Sequence, residues 1–122
     1  MNDNNSLTTD TVNAFNNAFN RHDVDEVMKL MTEDCIFENT NPAPDGARYE
    51  GQQAVRSCWE KFFSANPDAS FEAEEVITAD DRCIVRWIYR KTREGHTWHL
   101  RGVDIFRVKE GKVAEKLAYV KG

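Results

Sequence analysis

The sequence predicts an α+β fold, with helices first and an antiparallel meander of strands after them. Three observations carry the prediction. Apart from one short strand, apolar residues up to Ala65 recur at three- and four-residue spacing, the period of a helix with one buried stripe. From Phe71 onward they alternate singly, the period of a strand. The connections in that second half are short and of hairpin chemistry, so helical and strand segments are segregated and do not form repeated βαβ units. With 122 residues the chain is a single domain, 1–122.

Each element follows in order. Thr8 to His22 carries the stripe Val12, Phe15, Ala18 and Phe19, with Thr8, Thr9 and Asp10 as candidate N-caps. Asp23 and Glu26 are spaced like a capping box and open a second short helix with the stripe Val24, Val27, Met28 and Met31. A short strand, Cys35 to Asn39, is ended by the Pro- and Gly-containing run Asn41 to Gly46. A third helix spans Gln52 to Ala65, with Val55, Cys58, Trp59, Phe62 and Phe63 on one side and Pro67 beyond its end. Four strands follow, Phe71–Ile77, Arg82–Lys91, Thr97–Lys109 and Val113–Val120, joined by turns at Asp80-Asp81, Glu94-Gly95 and Glu110-Gly111.

Composition excludes several functions. The chain is 40% hydrophobic and 11% aromatic, enough for a packed core and too much for a disordered chain. Its net charge of −5 repels polyanions, so nucleic acid and anionic membrane are not expected partners. No apolar run is long enough to span a bilayer, and the polar start Met1–Ser6 is unlike a signal peptide. Cys35, Cys58 and Cys83, an odd number at wide spacing, fit a reducing cytoplasmic compartment and read as small buried hydrophobes. His96 and His99, three apart on a strand, point to opposite faces, so no metal is expected. Arg86, Arg90, Arg93, Arg101 and Arg107 form a basic strip on the outer sheet face, balanced by Glu72, Glu74 and Glu115. Ile84, Ile88, Val103 and Ile105 lie beside them, so that face is expected to pair with a second copy in a homodimer.

Strand alternation singles out one residue. Val85, Trp87 and Tyr89 share an inner face; in the next strand Leu100, Gly102, Asp104, Phe106 and Val108 do so. Asp104 is therefore a carboxylate among apolar neighbours, which must be paired, hydrogen-bonded or neutral. Desolvation raises its pKa, as a general acid or a neutral hydrogen-bond donor requires. The set Ala114, Lys116, Ala118 and Val120 places Lys116 as its candidate partner, either a substrate clamp or a strut.

The segments Asn20–Glu26, Thr32–Asn39, Tyr49–Arg56 and Gly102–Val113 resemble the nuclear transport factor 2-like superfamily, in its SnoaL-like and ketosteroid isomerase-like branch. The resemblance extends over nearly the whole chain. It implies three N-terminal helices packed on a curved antiparallel sheet, forming a cone-shaped pocket with Asp104 at its base. The isomerases place an oxyanion-stabilising Asp at the position of Asp104, a logic worked out for that family and borrowed here. Their catalytic base falls on Asn39, which cannot abstract a proton, and their first-helix Tyr falls on Phe15. The second acid of the related limonene epoxide hydrolases falls on Ala118. The implied lining is Phe15, Phe19, Met28, Phe37, Asn39, Trp59, Phe62, Trp87, Tyr89, Leu100, Asp104 and Phe106, with Lys116 assisting. Such walls suit a small, flat hydrophobic molecule. The expected function is cofactor-free binding of that molecule, with isomerase- or cyclase-type proton transfer by Asp104 and help from Asn39. The alternative is a non-catalytic ligand-binding or dimerisation module of the same fold.

Overall fold

A computed structural model describes residues 3–121. Its elements in chain order are α1 (Asp3–Asn20), α2 (Val24–Lys29), β1 (Met31–Glu38), β2 (Arg48–Glu50), α3 (Gln52–Ala65), β3 (Ser70–Ala79), β4 (Arg82–Arg93), β5 (His96–Lys109) and β6 (Lys112–Val120). The α+β class and the helix-then-strand order are as expected. No helix among the described residues is long and apolar enough to cross a membrane.

Three local expectations are corrected. Helix α1 starts five residues before Thr8, so Thr8 is not its cap. Thr8 is instead buried within the helix and donates its hydroxyl to the Asp80 carbonyl at 2.7 Å. The first strand runs Met31–Glu38, starting four residues before the expected Cys35, so Met31 belongs to it and not to the α2 stripe, and the unforeseen β2 pairs antiparallel with its end. The sheet is also not purely antiparallel. Its order is β2-β1-β6-β5-β4-β3, and β1 runs parallel to β6. The other expectations hold locally: Asp23 caps α2 by accepting from the Glu26 amide, and the turns Glu94-Gly95 and Glu110-Gly111 have positive φ at both residues.

The core lies between the helices and the inner sheet face. Phe15, Phe106 and Trp59 are fully buried there, with Phe15 set edge-on to each of the other two at 5.6 Å. On the outer face Glu72, Glu74 and Glu115 pair with Arg90, Arg101 and Arg82 respectively, and Glu75 pairs with Arg86. Ile88 points outward but is buried, because its register partners Glu72 and Arg101 carry two of those ion pairs beside it. Ile77, Ile84 and Ile105 form an apolar row across β3, β4 and β5, with Ile77 and Ile84 exposed.

Candidate functional site

The inner faces of β5 and β6 bring Asp104 and Lys116 together. Antiparallel register pairs Asp104 with Ala118 and Phe106 with Lys116, so the two charges meet diagonally. Register skips Ala114 between Val113 and Glu115, and this bulge lets both Val113 and Lys116 point inward. Lys116 Nζ lies 3.5 Å from Asp104 Oδ2, and the two side chains are 7% and 6% exposed. Asp104 Oδ1 and the Trp87 indole N–H are buried without a hydrogen-bond partner among the described residues. The indole is close enough to draw the carboxyl's pKa down, yet the pair falls short of hydrogen-bond geometry. Burial dominates: it holds the Asp104 carboxyl above its ordinary range, against the opposing pull of the Lys116 charge. The ammonium also faces four rings, with Phe19 and Phe37 both at 5.0 Å and Trp59 and Phe71 slightly farther.

A cavity of about 280 Å³ opens above this pair. Of the expected wall residues, Phe19, Phe37, Asn39, Trp59, Phe62, Trp87, Tyr89 and Leu100 line it together with Asp104 and Lys116. Phe15, Met28 and Phe106 do not: all three are buried in the core behind the wall. The α1 stripe cannot tell Phe15 apart from Phe19, because a ring facing the core and a ring facing a cavity have the same periodicity. Asn39 lines the opening, and its Oδ1 accepts from the Thr40 amide at 2.8 Å, the strand-end role that its turn context also predicts. Cys58, Asn66, Phe71, Lys91 and Trp98 were not anticipated. Lys91 and Trp98 share strand parity with Tyr89 and Leu100, so extending the alternation by one step would have found them.

A second opening of about 270 Å³ reaches Asp104 and Lys116 from the other side, between α1 and β3. Helix and strand are tied at one end by Thr9 to Thr78 at 2.7 Å, and at the other by Asn20, which both donates to the Phe71 carbonyl and accepts from its amide. Between the ties Asn13, Asn16 and Asn17 face Ala73, and the gap stays open. The cysteines offer no nucleophile: burial pushes the Cys35 thiol up to about 11 and raises Cys58 and Cys83 as well, so all three stay protonated near neutral pH.

Gly102 underlies the Trp87 ring, which lines the main cavity. It is the register partner of Trp87, and a Cβ there would lie 2.5 and 2.6 Å from Cη2 and Cζ2 of the indole, and against the Tyr119 carbonyl. Gly102→Ala is therefore expected to lower stability by about 1–3 kcal/mol through overpacking and to displace the indole. Urea unfolding, with a comparison of native tryptophan emission spectra, checks both. An unchanged midpoint and spectrum would mean that Trp87 does not rest on this glycine.

Residues 12–116 match the protein family described as SnoaL-like domain. Among solved structures, an NTF2-like protein of unknown function from Mesorhizobium loti is 37% identical, the match covering 100% of this chain and 97% of the other, with a TM-score of 0.85. A protein from Xanthomonas campestris, named as a polyketide cyclase by assignment only, is 23% identical over 97% of this chain and 93% of its own, with a TM-score of 0.77. A protein from Sinorhizobium meliloti with the same provisional name is 24% identical over 90% and 94%, with a TM-score of 0.75. At these last two identities the likeness is one of fold. No curated protein matches the sequence.

Proposed function

The chain belongs to the SnoaL-like domain family, and from that premise we propose that it binds a small, flat hydrophobic molecule above Asp104 and Lys116 and catalyses proton transfer within it. One observation carries the reading: a buried carboxyl with an unpartnered oxygen lies at the base of an aromatic-walled cavity. Oδ2 faces the ammonium, so Oδ1 is the atom left to meet a ligand oxygen. When a proton leaves the carbon beside a ligand carbonyl, negative charge grows on that oxygen. The Lys116 ammonium, held in place by Asp104, meets that charge in a site of low dielectric, and the carbon-bound proton passes to water. The names of the two lower-identity structural relatives point the same way, as cyclisation of a polyketide begins with enolisation.

Asn39 supports a second reading, a binding module without turnover. Its amide cannot act as a base, and Asp104 is the only carboxylate among the residues lining the cavity. 2-Tetralone in deuterated buffer separates the two. The wild type should exchange the ketone's α-protons, read by proton NMR, faster than buffer by on the order of 10²–10⁴-fold, and Asp104→Asn/Lys116→Met should not. Exchange at the buffer rate, with 2-tetralone still raising the melting temperature, would remove the catalytic reading and leave the binding one.

A further inference from the structure

The walls of the main cavity are polar at both ends. Along β4 the inward residues run Trp87, Tyr89 and Lys91, and opposite them on β5 run Asp104, Gly102, Leu100 and Trp98, with Lys91 and Trp98 in register. Trp98 and Asp104 are six positions apart on β5, about 20 Å of strand, so Lys91 stands at the far end of the cavity from the buried pair. Lys91 Nζ donates to the neutral Asn66 Oδ1 at 2.8 Å and lies 5.6 Å from the Trp98 ring centre. Asn66 is itself fixed, because it caps α3 and donates to the Phe62 carbonyl. The nearby Asp68 carboxylate, which feels the Lys91 charge, accepts from the Thr92 amide instead. Arg93 stacks on Trp98 at 4.8 Å, so a second cation sits beside the same ring. Among the residues lining the cavity, Asp104 and Lys116 offset each other, and Lys91 is left as unbalanced positive charge in a protein whose net charge is −5.

We propose that the ligand is a one- or two-ring aromatic acid, with its hydroxyl or carbonyl oxygen on the Asp104–Lys116 pair and its carboxylate on Lys91. This rests on the reading of the cavity as a site for a small flat molecule and adds what that molecule carries at its outer end. Size supports it: about 280 Å³ lies at the small end of ligand pockets, which run from roughly 300 to 1,000 Å³. The cavity is lined by Lys91 as well as by Asp104 and Lys116, so a flat molecule within it can present a polar group to each end. The charge at the mouth also gives the ligand one orientation, since an acid at the base would press against Asp104.

The experiment is a titration of wild type and Lys91→Met with 6-hydroxy-2-naphthoic acid and with 2-naphthol, followed by tryptophan quenching or calorimetry. Lys91 is partly exposed, so the variant should fold. Wild type should bind the acid at least about tenfold tighter than the naphthol, with the preference shrinking in high salt, and Lys91→Met should bring the ratio close to one. Naphthol binding as tight as the acid, or a preference that survives Lys91→Met, overturns the proposal while leaving the small-molecule reading in place. Binding of neither compound overturns both.

Discussion

Asp104→Asn is expected to lower the stability of the free protein by about 3–5 kcal/mol, because it leaves a buried ammonium with no counter-charge. For a chain of this length the loss appears as a fall in melting temperature on the order of 10–20 °C. Among the described residues Asp104 is the one carboxylate paired with Lys116, rings surround its ammonium, and at 7% side-chain exposure it cannot turn to solvent cheaply. Adding Lys116→Met removes the stranded charge and should restore most of the loss, since replacing both partners of a buried pair is often neutral. An Asp104→Asn variant that melts with the wild type would show that the two side chains do not depend on one another. The same pair has a pH signature. The Asp104 carboxyl titrates above its ordinary 3.8 in the folded protein. Between those two values the native state keeps a proton that the unfolded chain has released, so this group makes stability fall as pH rises through the window. Urea midpoints measured across acid pH should carry that slope in wild type and lack it in Asp104→Asn.

Phe15→Ala is expected to cost about 3–5 kcal/mol, the range for deleting a fully buried aromatic ring. Its ring is held edge-on by Trp59 and Phe106 and is 6.1 Å from Phe19, so the space it leaves has rigid walls and cannot collapse. Because Phe15 does not line the cavity, the variant should still bind the naphthoic acid probe below its lowered melting temperature. Guanidinium or urea unfolding measures the first effect and a titration the second. A loss under about 1 kcal/mol would mean that the site repacks and that α1 is held mainly by its other contacts.

The contrast between Phe15 and Phe19 marks the limit of sequence reasoning here. Periodicity placed both on the buried face of one helix, and both are buried. Which of them touches the cavity depends on where the sheet curves away from α1, and that is a property of distant strands. Strand parity was more informative, because it put Asp104 inward with Trp87 and Tyr89 from alternation alone, and α3 was legible to the residue from its apolar stripe and the following Pro67. What stayed hidden had no local pattern. Strand β2 is three residues long without apolar alternation, and exists through its pairing with Ile36–Glu38. The bulge at Ala114 carries no turn residue, yet it turns Val113 inward along with Lys116, which alternation alone places there. Asn66 reaches the cavity only because α3 ends where it does.

The parallel pairing of β1 with β6 has a kinetic meaning. Phe37 in β1 lies beside Lys116 in β6, so the first strand of the chain cannot take its place in the sheet until the last one exists. Hairpins β3–β4, β4–β5 and β5–β6 join neighbours in sequence and can close early, whereas the β1–β6 ladder closes the long loop from Phe37 to Lys116 and is the slow, entropically expensive step. The β5–β6 hairpin already gives Asp104 its cation, but until β1 docks the Lys116 ammonium lacks the Phe37 ring on its other side. During synthesis the binding site is therefore the last part of the molecule to assemble. A folding intermediate holding only the β3–β5 meander would expose its aromatic inner face to water and to other chains.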